Sequence, residues 1–86
     1  MRLSRRPSFV EAYIALTPEQ QNRVDKALRL LAEDWRRPSL QVKRVRSTQG
    51  VWEARASLSL RITFEMNGDT IVLRNVGAHD KTIKGA

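Results

Sequence analysis

Eighty-six residues suffice for one small domain and not for two. A 41% hydrophobic content supports one modest core, while the absence of cysteine excludes disulfides, thiolate metal sites and cysteine catalysis, and a single histidine leaves too few ligands for a zinc site. Sixteen Lys and Arg against nine Asp and Glu give a net charge of +7, which points to a polyanionic partner, nucleic acid first and an acidic protein second.

No apolar run approaches the ~20 residues of a membrane span. The charged start Met1-Arg2-Leu3-Ser4-Arg5-Arg6 is not followed by the apolar segment of a secretory signal. The expectation is therefore a cytoplasmic protein without a membrane partner. In residues 1–6 Met1 and Leu3 alternate as in a short edge strand. Pro7-Ser8 opens a first helix, with Ser8 and Glu11 spaced as a capping box. Phe9, Ala12, Tyr13 and Leu16 follow at helical spacing. Thr17-Pro18-Glu19-Gln20 starts a second helix, because Thr17 can cap, Pro18 suits the first helical position and Gln20 completes the box. Val24, Ala27, Leu28 and Leu31 form its apolar stripe, which Trp35 extends. The helix should end before Arg36-Arg37-Pro38, since the residue before a proline is pushed out of the helical region.

From Leu40 the period changes from 3.6 to 2. Residues 40–46 read as a basic extended segment and Ser47-Thr48-Gln49-Gly50 as a turn. In 51–58, Trp52, Ala54, Ala56 and Leu58 share one face, and Glu53, Arg55 and Ser57 the other. In 60–66, Leu60, Ile62, Phe64 and Met66 alternate with Arg61, Thr63 and Glu65. Such alternation marks antiparallel strands with one covered face and one open face. Asn67-Gly68 signals a hairpin of type I′ leading into a strand over 70–76. The expected architecture is one α+β domain over 1–86, with a loose tail at 81–86. An N-terminal helical hairpin packs on one face of a three- to four-stranded antiparallel sheet, as two layers.

The open face carries the chemistry. Between Arg36 and Arg61 lie seven basic residues and one acid, Glu53. Arginine forks and lysine charges are what phosphate binding requires. Arg55 and Arg61 flank a short connection, so a tight hairpin makes them neighbours whose repulsion a bound phosphate would relieve. A second reading is that Glu53 and Glu65 neutralise them as cross-strand ion pairs. His79, after the last strand, stands where it can exchange a proton near neutral pH. Metal-free RNA cleavage needs a base for the 2′-hydroxyl, cations around the phosphate and an acid for the leaving 5′-oxygen. The chain holds candidates for each.

These residues resemble the RelE/ParE superfamily of type II toxin–antitoxin toxins, in particular its RelE- and YoeB-like mRNA interferases. The resemblance is carried by Pro38-Ser39-Leu40 with Lys43-Arg44, Gly50-Val51-Trp52-Glu53-Ala54-Arg55, Leu60-Arg61-Ile62 and Val76-Gly77-Ala78-His79-Asp80. It implies a microbial RNase-like fold, a cognate antitoxin as partner, no cofactor and no metal, and cleavage of mRNA in the ribosomal A site by 2′-hydroxyl attack. The catalytic residues it implies are His79, Arg61 and Arg55; Glu53 is a candidate base by residue type alone, with an ion pair to Arg55 or Arg61 as its other reading. Lys43 and Arg44 match the family's basic residues ahead of the sheet, the basic cluster adds Arg46 to the expected RNA- and phosphate-binding set, and Asp80 is expected there as a group that orients His79. The chain departs from the family pattern at Leu60 and Asp80, where relatives carry an aromatic or a histidine and a tyrosine. Two other readings accompany this one. One is a ParE-like toxin that binds gyrase without catalysis. The other is a degenerate, non-toxic relative that binds antitoxin or RNA.

Overall fold

The computed structural model describes residues 1–46 and 49–78, and all structural statements concern these. In chain order the elements are β1 (Arg2–Arg5), α1 (Pro7–Ile14), α2 (Pro18–Asp34), a 3-10 turn (Pro38–Leu40), β2 (Lys43–Arg44), β3 (Val51–Arg55), β4 (Leu60–Asn67) and β5 (Thr70–Ala78). The two helices pack on a five-stranded sheet of order β1-β5-β4-β3-β2, an α+β arrangement of two layers. No helix of the described residues is long and apolar enough to cross a membrane.

The sheet is larger than expected, and mixed. β2, β3, β4 and β5 run antiparallel to their neighbours, but β1 joins β5 in parallel, with Arg2 opposite Thr70 and Arg5 opposite Leu73. The basic segment contributes only the two residues of β2, because the 3-10 turn and left-handed Gln41 (φ 45°) occupy its first part.

α2 forms as its sequence dictates. The Thr17 hydroxyl accepts from the Gln20 N–H, the Gln20 side chain accepts from the Thr17 N–H, and Pro18 fills the first turn. Its stripe of Val24, Ala27, Leu28 and Leu31 is buried against the sheet, and the helix ends at Asp34. α1 departs from the expectation. Arg6 is its N-cap and makes no side-chain cap bond. Ser8 lies inside the first turn, and its hydroxyl donates to the Arg74 carbonyl of β5. Pro7 explains the shift: its fixed φ suits the first helical position and moves the cap one residue before it.

The core gathers Phe9, Val24, Leu28 and Leu31 from the helices with Ala54, Ile62, Phe64, Ile71, Leu73 and Val76 from the sheet. At the end of α2, Trp35 meets Trp52 edge to face, with ring centroids 5.9 Å apart. Three strand details also depart from the sequence pattern. β3 stops at Arg55, so Leu58 belongs to a turn and is 85% exposed rather than covered. The β4–β5 turn has Gly68 and Asp69 as its central residues, with Asn67 paired to Thr70. Gly68 has φ +60° and Asp69 is not left-handed, which is the II′ pattern rather than I′. A bulge between Thr63 and Phe64 leaves Arg74 as an extra residue, since Thr63 faces Asn75 while Phe64 faces Leu73. It reverses the phase of β5, so that Ile71 and Leu73 point to the core before it and Val76 after it.

Candidate active site

The site lies on the sheet face away from the helices. Register sets its geometry. Lys43 of β2 is opposite Glu53 of β3, and Glu53 is opposite Thr63 of β4. Two pairs along, on the same face, Arg55 of β3 is directly opposite Arg61 of β4, which in turn faces Gly77 of β5. Side chains of such opposed residues stand side by side. Lys43, Glu53, Arg55 and Arg61 therefore meet, and with Gln41 they line a cleft of about 80 Å³.

This face is less open than the sequence pattern implied. Glu53 is 2% exposed and Thr63 fully buried. Val45 and Val51 are buried on this side, joined by a bond from the Val45 N–H to the Val51 carbonyl. Glu53 does not pair with either strand arginine. Its Oε1 lies 3.3 Å from Lys43 Nζ, and Glu65 pairs instead with Arg74 at 3.0 Å. Cross-strand neutralisation of Arg55 and Arg61 by these two carboxylates is therefore not the arrangement found.

The two arginines differ. Arg61 donates through Nη1 to the carbonyls of Ser57, Leu58 and Leu60 at 3.0–3.1 Å. It ties together the turn between β3 and β4. Arg55 Nε is buried with no hydrogen-bond partner. Glu53 Oε2 and Thr63 Oγ1 share that condition, so three unsatisfied buried polar atoms belong to neighbouring positions of the sheet. Each such atom costs about 1–3 kcal/mol in desolvation unless something bonds to it. Two of them, on Glu53 and Arg55, belong to residues that line the cleft, as a preorganised polar binding site requires.

The structure brings Lys43, Glu53, Arg55 and Arg61 together and separates Arg44 from them. Adjacent strand residues point to opposite faces, so Arg44 goes with Trp52 and stacks over its ring at 5.6 Å. Arg36 stacks over Trp35 at 5.0 Å. Arg46 is exposed beyond β2. His79 and Asp80 lie outside the described residues, as do Ser47 and Thr48 of the expected turn and the tail at 81–86. Two residues in or beside the cleft, Gln41 and Thr63, were missed by sequence reasoning. Thr63 was visible only as one more polar position in an alternating strand. Gln41 carried no signal, because its left-handed conformation follows from the preceding Pro38–Leu40 turn. Among the described residues no three His, Cys, Asp or Glu side chains gather as a metal-ligand set.

The arrangement of two helices on a five-stranded mixed sheet is similar in fold to solved RelE-type toxins. No protein-family model matches the chain, and no curated protein matches its sequence. Solved structures do match. YafQ from E. coli strain BL21(DE3) superimposes with a TM-score of 0.78 at 10% identity, over 94% of this chain and 97% of that one. A RelB-RelE antitoxin–toxin complex from Methanococcus jannaschii matches with a TM-score of 0.74 at 19% identity, over 91% and 92% of the two chains. The YoeB/ParE toxin from Agrobacterium tumefaciens gives 0.75 at 13% identity, over 92% and 99%. The likeness is one of fold, and it runs nearly end to end in both partners of each comparison.

Proposed function

We propose that this chain is the toxin of a type II toxin–antitoxin pair and an endoribonuclease that cuts mRNA on the ribosome. The observation that carries the reading is the direct opposition of Arg55 and Arg61 beside the Lys43–Glu53 pair, whose lysine is exposed and whose carboxylate is buried, in a cleft where Glu53 Oε2 and Arg55 Nε lack hydrogen-bond partners. The fold shared with toxins solved alone and in antitoxin complexes supports it.

In this reading the scissile phosphate sits against Arg55 and Lys43, and Arg55 Nε gains the partner it lacks. The ribose 2′-oxygen attacks the adjacent phosphorus while its proton passes to Glu53 Oε2, the free carboxylate oxygen. The phosphorus–5′-oxygen bond breaks, and His79 gives a proton to the departing 5′-oxygen. The products are a 2′,3′-cyclic phosphate and a 5′-hydroxyl. Positive charge held around the phosphate stabilises the crowded transition state, and no metal takes part. Arg61 contributes charge and holds the adjoining turn in place. A cognate antitoxin of acidic or amphipathic character neutralises the basic face.

Mapping of mRNA 5′ ends after brief induction tests the assignment. Cuts phased to codons within reading frames, lost in His79→Ala and Arg55→Ala, are expected. Growth arrest with DNA-damage signalling, intact mRNA and indifference to His79→Ala would assign the chain to gyrase-binding toxins instead.

A further inference from the structure

The cleft does not end at Arg55. That residue also lines a second depression of about 210 Å³ around the edge of the sheet, together with Lys26, Leu30, Ser39 and Arg23. Arg23 in turn lines a third, of about 410 Å³, between the start of α2 and the β3–β4 turn, where Gln20, Ser57 and Leu58 also contribute. Because consecutive depressions share Arg55 and then Arg23, they adjoin. They form one track from the Lys43–Glu53 pair, past the end of β3, onto the exposed side of α2.

The track carries cations at Lys26 and Arg23, and one carboxylate, Glu19, lines its third depression. Lys26 is exposed and makes no ion pair among the described residues. Arg23 meets only Glu19, at 3.4 Å and with both side chains largely exposed, a contact that water and salt readily replace. The middle depression has an apolar floor at Leu30 and Leu40 beneath a cationic rim. At the far end Leu58 stands 85% exposed on a turn that Arg61 holds by three carbonyl bonds. Alternating cations and apolar surface suit a single strand of RNA, whose phosphates take the cations while base faces lie on the apolar side chains. An amphipathic protein segment would need a continuous apolar floor. The last depression is lined largely by Thr17, Gln20, Ser57 and Ser59 and does not offer one.

We infer that Lys26, Arg23 and Leu58 form an extended subsite that carries the RNA strand away from the cleavage position. The inference rests on the reading of the cleft as an RNA site and adds where the strand runs. The test is fluorescence anisotropy on the full chain with labelled, fully 2′-O-methylated RNAs, which cannot be cut. One is about eight nucleotides long and fills cleft and track, and one is a trinucleotide that fills the cleft alone.

The variant is Lys26→Gln with Arg23→Gln. Arg2→Gln with Arg29→Gln removes the same charge at exposed positions that line none of the three depressions. The expected result is about tenfold weaker binding of the longer RNA by the track variant, with a salt slope lower by about 1.4, under twofold change for the trinucleotide and under twofold change for the control. Equal loss for both RNAs, equal loss in the control, or no loss overturns the track while leaving the cleft reading in place. A polyglutamate of matched charge that binds as tightly as the longer RNA, and loses as much in the variant, also overturns it in favour of an acidic protein segment. Wild-type protein that binds neither RNA overturns the cleft reading and the track together.

Discussion

The two faces of the sheet are built from the same strands and have opposite characters. On the helix side Ala54, Ile62, Phe64 and Leu73 are fully buried among apolar neighbours. On the other side the residues between them, Glu53, Arg55 and Thr63, are buried or half-buried and each has a polar atom without a partner. One face gains stability from every residue it covers. The other gives up stability by leaving polar atoms of Glu53, Arg55 and Thr63 without partners. The contrast holds residue by residue along one strand.

Phe64→Ala should break the first face, with a loss of about 3–5 kcal/mol in denaturant unfolding, enough to threaten folding of so small a domain. Arg55→Gln on the second face should leave the unfolding midpoint nearly unchanged and slow RNA cleavage by about 10²–10³-fold in a ribosome-based assay. A large stability loss there would mean that Arg55 is structural. Arg61→Gln should fall between the faces. Three turn carbonyls lose a donor, so a cost of about 1–3 kcal/mol is expected, with faster amide exchange at residues 57–60 accompanying any loss of activity.

Thr63→Val sharpens the comparison further. The hydroxyl it removes is buried and unsatisfied, so stability should rise by about 1–3 kcal/mol. A loss of stability would reveal a structural bond. The smallest effect lies away from both faces. The Tyr13 hydroxyl donates to Asp25 at 2.7 Å, and this bond, with burial and the Asp25 charge, raises its pKa above the ordinary 10.0 against the opposing Arg5. The fold holds the neutral phenol, so its contribution is full below about pH 10 and is lost as pH rises through the raised value. As Tyr13 is the only tyrosine, ultraviolet titration reads it directly, and Asp25→Ala should lower the midpoint.

Much of the molecule was legible from local pattern. The Thr17–Gln20 box, the stripe of α2 and the alternation in β3 and β4 are short-range features, and they sufficed to place Arg55 beside Arg61. What escaped was decided by tertiary register or by single backbone irregularities. The parallel pairing of β1 joins residues at opposite ends of the described chain, which no local period encodes. The bulge at Arg74 reverses the phase of β5. Lys43 and Arg44 look alike in sequence, yet pleating sends one to the cleft and the other to Trp52. The different roles of Arg55 and Arg61 depend on which carbonyls the β3–β4 turn presents, and that is visible only in three dimensions.

The pairing of β1 with β5 bears on when the protein becomes whole. As the chain is made from its N-terminus, Arg2–Arg5 emerge first and find their partners only once Thr70–Leu73 exist. Both helices and the β3–β4 hairpin can form in the meantime from contacts close in sequence, whereas closure of the β1 edge waits on the most distant pairing in the fold. Until then the nascent chain carries an unpaired strand, an edge that invites association with other chains. Pulse-labelled hydrogen exchange during refolding should show the β1 amides protected last.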